Sequence, residues 1–248
     1  MTDDSVRARQ SAVSKSGGQW ENYVKNFLEL ALQEIATTST DKKIKEKVED
    51  IAIIKMGKKR EIEKIKKEYP NLYRSLLIPF YNLAKSRKSL FNQYQQLEDI
   101  FEEGIIGDTD IVVFSQKTQT PIVVVSCKTS LHGRLTETLF YALYYRITGK
   151  IKFVLATPDK GKQDKEDKWS SEWGTPEKPS KDRILSTIFL DGVYVDNVVQ
   201  FMPESFDPSK EKTHIGGIVR ELHELPYDIL RWYEDIKFAH INSKESKS

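Results

Sequence analysis

The amino-acid sequence predicts an α/β (α+β) fold: a mixed central β-sheet flanked by helices, with a helical block on its N-terminal side. Three observations predict it. Two apolar, β-branched runs, 111–114 and 122–125, flank a polar stretch closed by Pro121 and read as two strands joined by a turn. Residues 131–148 then carry leucines at helical spacing and 152–156 form another apolar run; such a strand–helix–strand crossover makes the new strand parallel to its partner. Much of 19–101 repeats its apolar positions every three or four residues, the period of helices buried on one side.

Residues 1–18 are polar, and order is expected to begin after them. The first helix spans 19–36, with Trp20, Val24, Phe27, Leu28, Ala31 and Leu32 as its apolar side. Glu21 falls in its first turn, where an acid favours the helix dipole. The polar break 37–41 supplies a capping side chain. A lysine-rich helix over 41–68 follows, with Ile44, Val48, Ile51, Ile54, Ile62 and Ile65 as its stripe. Its lysines either meet the phosphates of a nucleic acid or form a solvated face with the interspersed acids. Pro70 and Pro79 punctuate shorter helices at 72–83 and 90–101, ending at Gly104. The block 37–100 is thus expected to be a helical insertion or subdomain within a single domain, 1–248.

A core module is expected to start near Ile105. In the helix after Lys128, Leu131, Leu135, Leu139 and Leu143 form one stripe, while Arg134, Glu137 and Tyr141 share a second face. The loop 160–182 is charged, holds Trp169 and Trp173, and is long enough to expect a function. A helix or turn at 181–188, a strand at 189–195, a polar loop at 203–213 and a final helix at 222–241 complete the chain.

The length of 248 residues suits one domain with insertions, and 38% hydrophobic content supports a real core. A formal net charge of +2 argues against a strongly basic nucleic-acid coat protein, but leaves open an enzyme whose acids and bases are segregated. Cys127 is the single cysteine, so no internal disulfide forms, which fits a reducing compartment. With no apolar run of membrane-spanning length and no signal-peptide pattern, the expectation is a cytoplasmic protein. The four histidines have no zinc-ligand spacing.

If the two strands fold as a hairpin centred near Gln119, Asp110 falls opposite the stretch from Ser126 to Lys128. Asp108 and Asp110 share one face, as do Ser126 and Lys128. An acid and a lysine then meet at the end of a core hairpin, where charges need partners. They are either two surface charges at a frayed end or a divalent-metal site, since Mg²⁺ takes carboxylate oxygens together with those of a phosphate.

Thr109-Asp110, an apolar strand, a turn, a second apolar strand and Ser126-Cys127-Lys128 together resemble the PD-(D/E)XK nuclease motif. The resemblance implies that Asp110 binds Mg²⁺, that Lys128 serves the nucleophilic water, and that the backbone carbonyl of Cys127 joins the metal shell. Thr109 stands where the motif often has proline, and Ser126 where it has a carboxylate ligand. A Ser-x-Lys element is similar to that of restriction endonucleases cutting CCGG-like sites, which recover the carboxylate from the following helix. Here that helix offers Glu137, closer to the lysine than the position expected from that group, which Tyr141 and Ala142 occupy. Gly17 to Glu21 resembles the Gly-x-x-x-Glu helix of the superfamily and makes Glu21 a second candidate acid. Arg134, six residues after the lysine, stands where that group reads bases, with Gly133 in place of its usual acidic neighbour. Ser126, Ser130 and His132 on the same segment are further expected DNA contacts, and the loop with Trp169 and Trp173 either clamps DNA, which would make both tryptophans contacts, or docks on a second copy of the chain.

The resemblance implies a restriction-endonuclease-like catalytic core at 105–200. It implies a Mg²⁺-dependent type II restriction endonuclease that hydrolyses double-stranded DNA at a short palindrome. Such an enzyme acts as a homodimer and is accompanied by a cognate DNA methyltransferase. Two alternatives stay open: a structure-specific repair or junction nuclease of the same superfamily, and a catalytically decayed DNA-binding protein.

Overall fold

The computed structural model describes residues 3–78, 105–131, 134–149, 151–163, 169–202, 206 and 214–245, with the helix ends 3–15 and 237–245 described as backbone. The chain opens with α1 (Asp3–Thr38), α2 (Lys42–Asp50), β1 (Ile51–Lys55), α3 (Lys59–Glu68), α4 (Pro70–Leu76) and β2 (Leu77–Ile78). It continues with β3 (Ile105–Ile106), β4 (Ile111–Ser115), β5 (Thr120–Cys127), α5 (Leu135–Gly149) and β6 (Lys152–Thr157). The short β7 (Lys162–Gln163) and β8 (Trp169–Ser170) precede α6 (Lys181–Phe189), β9 (Gly192–Val195), β10 (Val219–Glu221) and α7 (Leu225–Glu245). No helix among the described residues is long and apolar enough to cross a membrane.

The central sheet has the order β1-β4-β5-β6-β9-β10. Its first two pairings are antiparallel and the rest parallel, the mixed α/β architecture that the sequence predicts. The hairpin is the expected one. Ile111 pairs with Val125, and Gln119 sits in the turn with φ 54°, the left-handed region a tight reversal needs. Alternation divides the strand residues between two cores. Val112, Val124, Phe153 and Leu155 pack with α3, α4 and α5, while Ile111, Val113, Val125 and Val154 pack with α1 and α7.

The helix expected over 41–68 is broken. Residues 51–55 form β1, antiparallel to β4, with α2 before it and α3 after it. Three β-branched isoleucines within four residues suit a pleated, half-buried surface, and β4 supplies the backbone partners. The first helix starts at Asp3 rather than Gln19, running through Gly17 and Gly18 despite their cost of about 1 kcal/mol each in a helix interior. The helix expected at 72–83 ends at Leu76, where β2 begins. The strand expected at 189–195 is shorter, because α6 extends through Phe189. The helix expected at 90–101 lies outside the described residues.

Candidate active site

The site is built at the end of the hairpin away from its turn. The register places Asp110, just before β4, opposite Ser126. Its Oδ2 accepts the Cys127 amide at 2.6 Å and the Lys128 ammonium at 3.2 Å. Its carbonyl accepts the Met56 amide at 2.9 Å, which ties the end of β1 to the same point. Lys128 follows β5, and its amide donates to the Ala156 carbonyl at 3.0 Å. Lys128 Nζ also donates to Asp108 Oδ1 at 2.5 Å. The other Asp108 oxygen accepts Ser126 Oγ at 2.8 Å and Thr138 Oγ1, from α5, at 3.0 Å.

The segment carrying the acids is held from beneath. The Tyr145 hydroxyl of α5 donates to the Leu76 carbonyl at 3.0 Å, accepts the Gly107 amide at 3.2 Å and shares a 3.1 Å hydrogen bond with the Thr109 hydroxyl. A Cβ on Gly107 would stand 2.3 Å from the Tyr141 ring, so only glycine lets α5 approach the acid segment this closely.

Little water reaches the charges: the side chains of Lys128, Asp108 and Asp110 are 8%, 11% and 17% exposed. Burial raises the Asp110 pKa, with the Asp108 and Glu21 charges adding to the rise and Lys128 and the Cys127 amide opposing it. Burial pulls the Lys128 ammonium down, but the two carboxylates and their hydrogen bonds more than offset this and its pKa rises. Lys128 is therefore a cation at neutral pH. The Cys127 thiol is pushed well up, first by burial and then by Asp110, and stays protonated. Its side chain lies in the core shared with α1 and α7, so only its backbone is turned to the site.

The other sequence-predicted residues divide. Glu21, on α1, lies across the sheet and pairs with Lys55 at 2.8 Å. Glu137 is exposed, and the α5 side chain that reaches the acids is Thr138, one residue on and 100° around the helix. Arg134 is exposed at the start of α5, and Ser130 is half-buried. Ser126 is fully buried and bonded to Asp108, which corrects its expected place among DNA contacts. Trp173 is likewise fully buried in the core with Leu190 and Val193, so its ring is packing rather than a clamp. Trp169 pairs with Gln163 through its backbone, and its side chain, like all of His132, lies outside the description.

Asp108, Thr138 and Lys55 are the residues that sequence reasoning did not count in the site. Strand alternation already puts Asp108 on the Asp110 face. Thr138 and Lys55 depend on packing across the sheet. Among the described residues, no three His, Cys, Asp or Glu side chains form a group that could hold a metal ion.

A mixed sheet whose hairpin brings two carboxylates and a lysine together at one end has the restriction-endonuclease-like architecture. Residues 92–215, 124 of the 248, match the family model described as BsaWI restriction endonuclease type 2, and the chain belongs to that family. It is accordingly a type II restriction enzyme, a nuclease that cuts DNA. A search of curated proteins found no match.

Proposed function

We propose that the chain hydrolyses phosphodiester bonds of double-stranded DNA at a specific, short, palindromic sequence, as a Mg²⁺-dependent member of the PD-(D/E)XK superfamily in its Ser-x-Lys form. The observation that carries this is the buried cluster of Asp108, Asp110 and Lys128 at the open end of the hairpin. Its donors are carboxylate and hydroxyl oxygens, the set that a hard cation takes together with phosphate oxygens and water. Two side-chain acids fit Mg²⁺, which keeps several waters, better than an ion that needs a full protein cage.

Asp110 and the Cys127 carbonyl would hold the metal. Asp108, bonded to Ser126, brings a second carboxylate to the lysine in place of the one a Ser-x-Lys element lacks. Of the two candidate glutamates, Glu21 is favoured over Glu137, because it is bound by Lys55, whose neighbour Met56 donates its amide to the Asp110 carbonyl, whereas Glu137 is exposed. When bound, Mg²⁺ supplies charge neutralisation on the phosphoryl oxygens and a more acidic water. Lys128, held as an ammonium by two carboxylates, orients the attacking water and binds a phosphate oxygen. Arg134 is exposed one turn before Thr138 and is placed to contact base edges. A palindromic target requires a two-fold homodimer. A cognate methyltransferase would protect host DNA in the same cytoplasm.

The test is digestion of phage DNA with Mg²⁺ by wild type, D110A and K128A. Discrete fragments from the wild type alone support the reading and reveal the recognition sequence. A smear points to cutting without sequence choice. Absence of cutting by wild type, with Mn²⁺ tried as well, rejects the reading, and cutting that survives D110A means the acid is misassigned.

A further inference from the structure

Asp110 stands at a seam between two lysine–carboxylate pairs, one on each face of the sheet. On the α5 face, Lys128 binds Asp108 and Asp110. On the α1 face, Lys55 closes β1. Its register partner is Ile111, the residue after Asp110, and the next amide in the chain, from Met56, donates to the Asp110 carbonyl. Cross-strand partners project to the same side, and Ile111 lies in the core with Trp20 and Val24 of α1.

Lys55 Nζ there meets three groups of α1: Glu21 Oε2 at 2.8 Å, Asn22 Oδ1 at 2.9 Å and the Gly18 carbonyl at 3.5 Å. The Lys55 and Glu21 side chains are only 18% and 20% exposed. A flexible lysine with three acceptors from one helical turn is fixed, and it fixes the carboxylate it holds. Gly57 borders the same carboxylate: a Cβ there would make ordinary contact with Glu21 Oε2, 3.7 Å away.

We infer that Lys55 is a positioning residue of the active site, holding the Glu21 carboxylate toward Asp110 from the face of the sheet opposite Lys128. This rests on the reading of the site as a metal-dependent nuclease centre and deepens it. Glu21 is held at that end of the sheet by an ion pair between α1 and β1, and that pair depends on 51–55 being a strand. In this role Lys55 acts through Glu21, the carboxylate it binds, rather than on the reacting atoms.

That dependence defines the test, a double-substitution cycle with K55M, K55R, E21Q and K55M/E21Q on the duplex that wild-type enzyme cuts. Single-turnover cleavage at saturating duplex is expected to fall about 10- to 100-fold in K55M, the range for residues that orient a metal-site ligand. K55R is expected to recover most of the rate, and K55M/E21Q to be no slower than E21Q alone. Duplex affinity in Ca²⁺ is expected to change less than about threefold, a limit set by the absence of a phosphate contact. Calorimetric titration of Ca²⁺ into the enzyme–duplex complex is expected to show an altered affinity in K55M but no effect of the same change in the E21Q background. Methionine keeps the unbranched stem of the lysine without its charge, and thermal midpoints of the variants confirm folding. K55M losses that multiply with those of E21Q, or weakened duplex binding with an intact rate, would overturn the inference. So would a K55M enzyme that cuts like wild type. A wild type that cuts nothing would instead reject the nuclease reading itself.

Discussion

Asp108 accepts three hydrogen bonds, from Lys128, Ser126 and Thr138, and each comes from a different position of the strand–helix unit that follows it. Removing its charge while keeping its shape tests whether it stands in for the carboxylate absent at position 126. The variant D108N is expected to lose roughly tenfold or more in single-turnover cleavage, as positioning residues of such sites do. E137Q is expected to stay within about twofold of wild type, since an exposed side chain without a tie to the acids has little to lose. The same rate assay decides: an unaffected D108N together with an inactive E137Q would return the missing carboxylate to α5. Asp110, Lys128 and their pairing were legible in the sequence, because strand alternation and hairpin register fix them locally. Thr138 was not, because the face of α5 that meets the acids is set by the close approach at Gly107. Trp173 misled for a related reason: a tryptophan in a charged loop looks available until the loop is folded against the sheet.

At the scale of elements, the direct junction of α2 with β1 at Asp50 joins three parts of the molecule. Asp50 is 2% exposed and accepts Ser115 Oγ at 2.5 Å, the Lys117 amide at 2.8 Å and the Tyr233 hydroxyl at 2.7 Å. One carboxylate thus joins the start of β1, the hairpin turn and α7. Burial and the Asp50 charge push the Tyr233 phenol up to about 12. D50A strands three donors, and its unfolding free energy is expected to fall by about 3 kcal/mol or more, whereas Y233F, losing one bond, should cost about 1 kcal/mol. Urea unfolding of both variants measures the difference, and equal small losses would show that water satisfies the stranded groups. This junction is also where sequence reading failed. Ile44, Val48 and Ile51 sit at helical spacing, so the stripe runs unbroken into 51–54. What ends the helix is pairing with β4, about sixty residues away in sequence and invisible to a local pattern.

At the scale of the whole molecule, β5, β6, β9 and β10 run parallel, so the segments after them gather at one end of the sheet, the end that bears Lys128. Ligands of open α/β sheets bind outside those carboxyl ends. The loops there are tied by two buried charges. Asp159 accepts the Gly161 and Glu172 amides at 3.2 and 3.0 Å and the Ser171 hydroxyl. The Arg183 guanidinium donates to the carbonyls of Trp173 at 3.0 Å, Gly216 at 2.9 Å and His214. The His214 ring lies buried between them, 3.7 Å from Asp159. Burial lowers its pKa, against Asp159 and Glu221, which raise it, and with Arg183, which lowers it further. In the unfolded chain the ring titrates at about 6.5. Below that pH the unfolded state binds the proton more readily than the fold, so stability falls with pH until the folded ring titrates in turn. The contribution of His214 is therefore complete above about pH 6.5 and is lost on acidification. H214Q removes the titration and is expected to lose less stability than wild type between about pH 7 and about pH 5. Urea midpoints taken across that range test it. Parallel pH profiles for the two proteins would mean that the ring plays no part in the acid sensitivity of these loops.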